Sequence, residues 1–110
     1  MFVVQQISLT SNPKQETINM NINVTVSVQG KVQGVGYRNF VLMAANICGV
    51  RGWVRNELDG TVTAELEGTQ ALVDEMIEKC YQGPMFSKVT KIDVRQGEIK
   101  NFKHFEVIRL

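Results

Sequence analysis

The stretch INVTVSVQGKVQGVGYRNFVLMAANIC (22–48) contains the change of hydrophobic period that decides the fold. Apolar and polar residues alternate from residue 22 to Gly30, and a period of two predicts a half-buried β-strand. From Tyr37 the spacing becomes that of a helix, and Gly49 stands where helix C-termini favour glycine. The apolar face predicted for this helix consists of Phe40, Met43, Ala44 and Ile47. The stretch therefore predicts a strand, a glycine-containing loop and a helix, in that order.

The rest of the chain predicts four further strands and a second helix. The predicted elements are strands at 50–56, 61–67, 87–95 and 102–108, and a helix between Gly68 and Gly83-Pro84. Asp59-Gly60 supplies the turn of a hairpin, and Thr69 is the expected N-cap of the second helix. The resulting order, βαββαβ with a short terminal strand, is the split βαβ arrangement of ferredoxin-like folds. We expect an α+β sandwich in which two helices cover one face of a four- to five-stranded, mainly antiparallel sheet.

The composition is that of an ordinary small globular domain without a strong charge. The chain has 110 residues and a formal net charge of +1, so its overall charge does not favour nucleic acid or a membrane surface as a partner. Cys48 and Cys80 have neither CxxC spacing nor a histidine cluster nearby, which argues against zinc and favours two reduced thiols. We expect no metal, no nucleic-acid partner and no membrane association.

The first residues differ in composition from the remainder. They are rich in Gln, Asn, Ser and Thr, and they lack the basic region and the long apolar run of a secretory signal. We expect a flexible N-terminal tail at 1–21, a single domain at 22–110 and a cytoplasmic location.

The loop GKVQGVGYR (30–38) is predicted to bind an anion. In a βαβ unit the two strands run parallel, so this loop and Asn56 lie at the same edge of the sheet, about 10 Å apart, with the third strand between them. The first amides of the helix have no intrahelical acceptor and carry the positive end of its dipole. Arg38 adds a charged fork suited to phosphate. A tight turn with a surface arginine is the alternative interpretation, and Asn56 favours the anion site.

Two segments taken together resemble the acylphosphatase family. They are GKVQGVGYR (30–38) and GWVRNELDGTV (52–62), accompanied by EG before the second helix and GP after it, and the resemblance covers about residues 22–110. It implies the ferredoxin-like fold and the hydrolysis of small acyl phosphates, at the mixed anhydride bond, to carboxylate and inorganic phosphate. It also implies a monomer that needs no cofactor.

The resemblance further implies which residues form the site. The phosphate would be bound by the backbone amides of Gly34, Val35, Gly36, Tyr37 and Arg38. The Arg38 side chain would bind it as well, and Asn56 would orient the attacking water, so these two are the candidate catalytic residues. The chain departs from the family pattern at Tyr37, where many relatives have Phe, and at Met85, where many have Pro. Neither departure touches the two candidates.

Several alternatives share the fold or compete for the site. The rival functions are a noncatalytic phosphate- or acyl-phosphate-binding regulatory module and a hydrolase specific for carbamoyl phosphate. An RNA-binding module is disfavoured because TVTAELE (61–67) has no aromatic residue on which a base could stack. Glu57 and Asp59 are interpreted as turn residues, and His104 receives no catalytic role. The residues assigned to the core include Met43, Trp53 and Met76.

Overall fold

The computed structural model describes residues 19–109, and the elements follow the predicted order. They are β1 (Asn21–Lys31), α1 (Tyr37–Cys48), β2 (Arg51–Asn56), β3 (Val62–Thr69), α2 (Gln70–Gln82), β4 (Lys88–Gly97) and β5 (Phe105–Val107). The strands form one five-stranded sheet in the order β4-β1-β3-β2-β5. All neighbours pair antiparallel except β5, which pairs parallel with β2. The predicted α+β, ferredoxin-like fold is confirmed.

Most of the predicted N-terminal tail lies outside the described residues. The tail predicted at 1–21 overlaps the described part of the chain only at residues 19–21, and Asn21 already belongs to β1. Neither helix within residues 19–109 is long and apolar enough to cross a membrane.

The core lies between the two helices and one face of the sheet. The strands contribute Val24, Val26, Val28, Val54, Val62, Ala64 and Leu66, all buried. α2 contributes Val73 and Met76, so the prediction for Met76 is confirmed. The Thr69 hydroxyl oxygen accepts a hydrogen bond from the N–H of Leu72 at 3.3 Å, which confirms the predicted N-cap. Each buried aliphatic side chain of this kind stabilises the fold by about 1.5–3 kcal/mol.

The face of α1 that packs on the sheet differs from the predicted one. The buried residues of α1 are Tyr37, Val41, Ala44 and Ala45. Met43 and Ile47, both predicted to lie in the core, are 62% and 83% exposed. The helix carries apolar residues on two neighbouring stripes, and the stripe with two alanines allows the closer approach to the sheet. The Tyr37 hydroxyl also donates a hydrogen bond to the carbonyl of Cys80 at 2.7 Å, which fixes this rotation of the helix.

The opposite face of the sheet carries a buried polar cluster that the sequence analysis does not predict. Asn23, Glu65 and Glu67 are all buried. The Asn23 side-chain amide donates to Glu65 at 2.9 Å and to Glu67 at 3.0 Å. The backbone N–H groups of Lys100 and Phe102 donate to Glu67 at 2.6 and 2.8 Å. Glu67 therefore holds the segment between β4 and β5 against this face of the sheet.

Trp53 also belongs to this polar face. Its Nε1 donates a hydrogen bond to Glu65 at 2.9 Å, and the Arg55 guanidinium lies 5.0 Å from its ring centroid. Because Val54 points into the core, its neighbour in the same strand points to the other side of the sheet. The assignment of Trp53 to the core is wrong.

Replacing Glu67 by glutamine tests the polar cluster through the pH dependence of stability. Burial raises the pKa of Glu67, but four other interactions together hold that pKa below its ordinary value. They are the hydrogen bonds from the N–H of Lys100, the Asn23 amide and the N–H of Phe102, and the nearby charge of Arg51. The ionised carboxylate therefore stabilises the fold above its unfolded pKa of about 4.3. This contribution is lost as the pH falls through the folded pKa. We expect Glu67→Gln to lower the free energy of unfolding near neutral pH by about 1.5–3 kcal/mol.

Urea unfolding at about pH 7 and at about pH 3 measures this difference. Glu98→Gln is the matched control, because Glu98 is exposed in the same segment and its replacement should leave stability unchanged. If Glu67→Gln lowered the free energy of unfolding by the same amount at both pH values, ionisation of Glu67 would contribute nothing to stability.

Candidate active site

The loop between β1 and α1 turns through two glycines in the left-handed region. Gly34 has a φ of 74° and Gly36 a φ of 80°, a conformation that other residues adopt only at a cost. Gly36 is the N-cap of α1, and it provides no side-chain cap. The N–H of Phe40 bonds to the Gly36 carbonyl at 3.0 Å, so the N–H groups before Phe40 have no acceptor within the helix. Together with the loop they form a backbone site suited to an anion.

A cavity of about 200 Å³ lies beside this loop. Its lining consists of Val32, Gly34, Gly36, Tyr37, Arg38, Asn39, Asn56 and Arg109. All the predicted site residues except Val35 thus lie around one cavity, whereas Val35 is half-buried and packs against the core. A Cβ added at Gly34 or Gly36 would meet no atom within 4 Å, so the space beside both glycines is open to a ligand.

The sheet brings the loop and Asn56 to the same edge. Val28 near the end of β1 and Asn56 at the end of β2 both pair with Val62, the first residue of β3. The two strand ends therefore flank a single residue, about two strand spacings apart. This is the juxtaposition that the parallel strands of a βαβ unit predict.

Arg38 gives the cavity a positive charge. The residue is half-buried, and no acidic side chain among residues 19–109 forms a salt bridge with it. An anion in the cavity would therefore meet both the guanidinium and the unpaired amides at the start of α1.

Asn56 lines the same cavity and contains an unpaired polar atom. Its Oδ1 is buried and has no hydrogen-bond partner within the described part of the chain. Buried amide oxygens nearly always accept a hydrogen bond, and leaving one unpaired costs about 1–3 kcal/mol. Asn56 lines the cavity, and a rotation of its side-chain amide that turns Oδ1 towards the cavity would let a bound water or ligand atom supply the missing donor. A carboxamide can orient such a water, but it cannot take a proton from it near neutral pH.

Arg109 is a lining residue that the sequence analysis missed. The N–H of Ile108 donates to the Val54 carbonyl at 2.8 Å, which extends the parallel pairing of β5 with β2 and carries Arg109 to the end of β2. The predicted fifth strand could have indicated this residue, because a terminal strand that runs parallel beside β2 must end near Asn56. The prediction of a fifth strand did not state its neighbour, so this consequence was not drawn.

A second cavity, of about 460 Å³, adjoins the first. The two share Arg38, Asn56 and Arg109, and the second adds Gln33, Glu57 and Leu58. A ligand whose anionic end occupies the smaller cavity therefore has room for the rest of its structure in the larger one.

The remaining candidates have structural partners elsewhere. The Asp59 carboxylate accepts hydrogen bonds from the N–H and the hydroxyl of Thr61 at 3.0 and 2.7 Å, and Glu57 pairs with Arg55 at 2.9 Å, as turn residues do. His104 lies 3.2 Å from Glu106 and does not line the first cavity. Within residues 19–109, no group of three or more His, Cys, Asp and Glu could hold a metal ion.

The chemistry of the cavity excludes the groups that usually act as nucleophiles. The Tyr37 hydroxyl is occupied by the Cys80 carbonyl, and burial raises the pKa of Tyr37 well above its ordinary value. Burial also raises the pKa of the Cys80 thiol to about 11. Cys48 and Cys80 are both free, and neither lines the cavity.

Comparison with known proteins identifies the family of this chain. The acylphosphatase family model matches residues 24–107. An acylphosphatase from Nocardioides sp. is 42% identical over 89 residues, which is 81% of this chain and 90% of the relative. One from Trichormus variabilis is 39% identical over 100 residues, 91% of this chain and 95% of the relative. The crystal structure of an acylphosphatase from Bacillus subtilis superposes with a TM-score of 0.78 at 35% identity, over 79% of this chain and 98% of that one. The chain belongs to the acylphosphatase family of hydrolases.

Proposed function

We propose that this protein hydrolyses the carboxyl–phosphate anhydride of acyl phosphates, with Arg38 and the loop amides holding the phosphoryl group and Asn56 orienting the attacking water. The observation that carries the proposal is a single small cavity whose lining joins the start of α1, where the helix amides are unpaired, with two arginines, Arg38 and Arg109, and with Asn56, whose amide oxygen has no partner within residues 19–109. The membership of the chain in the acylphosphatase family supports the reaction.

The phosphoryl group is bound through its charge. Its oxygens accept hydrogen bonds from the backbone N–H groups of Gly34 to Arg38, at the positive end of the α1 dipole. The Arg38 guanidinium offers a fork that matches two phosphoryl oxygens. These donors also stabilise the charge that is spread over the phosphoryl oxygens in the transition state, and because they are fixed before the reaction they need no reorganisation.

Water attacks the phosphorus atom from the side of Asn56. The Oδ1 of Asn56 accepts a hydrogen bond from this water and thereby fixes its position. A bond forms between the water oxygen and phosphorus, the bond from phosphorus to the acyl oxygen breaks, and the carboxylate leaves with the electron pair. The proton of the water passes to a phosphoryl oxygen of the substrate. The described lining contains no His, Cys, Asp or Glu, which supports a reaction driven by positioning and electrostatics.

The acyl end of the substrate extends into the larger cavity. Leu58 there is almost fully exposed on the turn after β2 and offers apolar surface, while the carboxylate of Glu57 is paired with Arg55. Arg109 also lines this cavity, so the lining accommodates a polar acyl group as well as an apolar one.

The protein is proposed to act as a cytoplasmic monomer. The loop, the end of β2 and the segment after β5 supply the residues of the proposed site. Both cysteines are free thiols, which suits a reducing compartment.

The test is hydrolysis of benzoyl phosphate in the presence of a metal chelator. We expect full activity with the chelator, and no turnover of the alkyl ester glycerol 2-phosphate, because an alkoxide leaving group needs a general acid that the cavity lacks. Binding of inorganic phosphate without benzoyl phosphate hydrolysis would instead favour a noncatalytic regulatory module. Loss of activity on chelation would overturn the mechanism.

A further inference from the structure

Gln33 connects the phosphate loop to the turn that follows Asn56. Its side-chain Nε2 donates to the carbonyl of Glu57 at 2.8 Å and to the carbonyl of Thr61 at 2.9 Å. The N–H of Glu57 also donates to the Thr61 carbonyl at 2.8 Å, so these residues close the turn between β2 and β3. A single amide group thus contacts both ends of that turn.

This connection lies where the sheet no longer holds the two parts of the site together. β1 pairs with β3 only as far as Val28, and after a register shift at Gln29 and Gly30 the remainder of β1 pairs with β4 alone. Within the described part of the chain, no other hydrogen bond joins the loop at 32–36 to the turn at 57–61. The distance between the loop and Asn56 therefore depends on Gln33 beyond the end of the β1–β3 ladder.

The side chain of Gln33 does not bind the phosphate itself. A carboxamide has two N–H donors, and both of them are engaged by carbonyl groups. The residue is half-buried and is not among the lining of the smaller cavity. Its hydrogen bonds are thus with the frame of the site, and of the two cavities it lines only the larger one, not the one that the anion would fill.

We infer that Gln33 is a positioning residue, which sets the distance between the phosphate-binding loop and the water held by Asn56. The inference rests on the proposed function of the same site. Binding of phosphate needs the loop amides and Arg38, and the Gln33 side chain forms its hydrogen bonds with Glu57 and Thr61 instead. Turnover also needs the water in line with the leaving group, and this alignment depends on the position of Asn56 relative to the loop.

The test is steady-state hydrolysis of benzoyl phosphate by Gln33→Ala, together with competitive inhibition by inorganic phosphate. We expect kcat to fall by about 10–100-fold, since small misplacements of reacting groups have effects of this size. We expect the inhibition constant for phosphate to change by less than about threefold, within the ordinary effect of a replacement that leaves its contacts intact. Gln29→Ala is the matched control, because Gln29 is a β1 residue whose side chain points to Asp93. Gln29→Ala should keep the wild-type kcat and the wild-type inhibition constant for phosphate.

A double-mutant cycle with Asn56→Ala distinguishes positioning from a merely structural role. If Gln33 acts through Asn56, adding Gln33→Ala to Asn56→Ala costs almost no further activity, whereas independent effects would multiply. A loss confined to phosphate binding, or effects that multiply, would overturn the inference and leave the proposed function intact. Full activity of Asn56→Ala would overturn the proposed function instead. Should Gln33→Ala not fold, Gln33→Asn, whose side chain is too short to reach both carbonyls, must show the same split between kcat and phosphate binding.

Discussion

Arg38→Ala is expected to lower the turnover of benzoyl phosphate by a factor of about 10³ or more. Effects of this size are seen when a guanidinium that stabilises a phosphoryl-transfer transition state is removed. Arg38 lines the cavity, and no acidic side chain among the described residues neutralises it. Removing it should also weaken the binding of inorganic phosphate by about 1.5–3 kcal/mol, the contribution of a charge-assisted hydrogen bond. The loss of turnover exceeds the loss of binding because the guanidinium interacts most strongly with the transition state.

Two further variants test whether the effect of Arg38→Ala is specific to the guanidinium at this position. Arg38→Lys keeps the charge but not the fork, so it should recover phosphate binding better than turnover. Arg95→Ala removes an exposed guanidinium on β4 that lines neither cavity, so it should be dispensable. Steady-state kinetics and phosphate inhibition measure all three. If Arg38→Ala kept more than about a tenth of wild-type turnover, Arg38 could not have the role assigned to it.

Asn56→Ala is expected to lower kcat by about 10²–10³-fold, the effect of removing one preorganised hydrogen-bonding group from a reacting centre. The inhibition constant for phosphate should stay close to that of the wild type, because the Asn56 oxygen accepts from water and does not donate to the anion. Removing an unpaired buried oxygen should also cost no folding stability, unlike the removal of a satisfied one. Thermal unfolding tests this second consequence.

Asn56→Asp and Asn46→Ala serve as comparisons. Asn56→Asp keeps the shape but places a negative charge beside the phosphoryl group, so it should weaken phosphate binding as well as turnover. Asn46 is exposed on α1, and Asn46→Ala should behave as the wild type. An Asn56→Ala protein with normal kcat would show that the attacking water is held by another group.

The topology could be predicted because it depends on local patterns, and the resemblance to acylphosphatases supplied the two candidate catalytic residues. The change of period between Gly30 and Tyr37 indicates a strand and a helix, and the parallel course of the two strands in a βαβ unit then brings Asn56 to the edge where the loop lies. This position requires no knowledge of side-chain packing. The functional roles of Arg38 and Asn56 remain predictions until the variants are measured.

The features that the sequence did not predict depend on contacts between distant residues. The core face of α1 was misassigned because apolar residues occupy two stripes, and only the Tyr37 contact with Cys80 and the close approach of two alanines select between them. Glu65 and Glu67 look like ordinary solvent-facing strand residues, and their burial follows from the segment between β4 and β5. In the sequence Gln33 looks like an ordinary loop residue, and only the structure shows that its side chain forms hydrogen bonds with the turn between β2 and β3.

Titration of the protein with inorganic phosphate, followed through its backbone and side-chain amide NMR signals, tests the assignment of the anion site most directly. We predict the largest saturable shifts at the backbone amides of Gly34 to Arg38 and at the side-chain amide of Asn56, and their loss in Arg38→Ala. Shifts centred on another part of the molecule, such as the start of α2, with none in this loop, would show that the cavity between Arg38 and Asn56 is not the phosphate site.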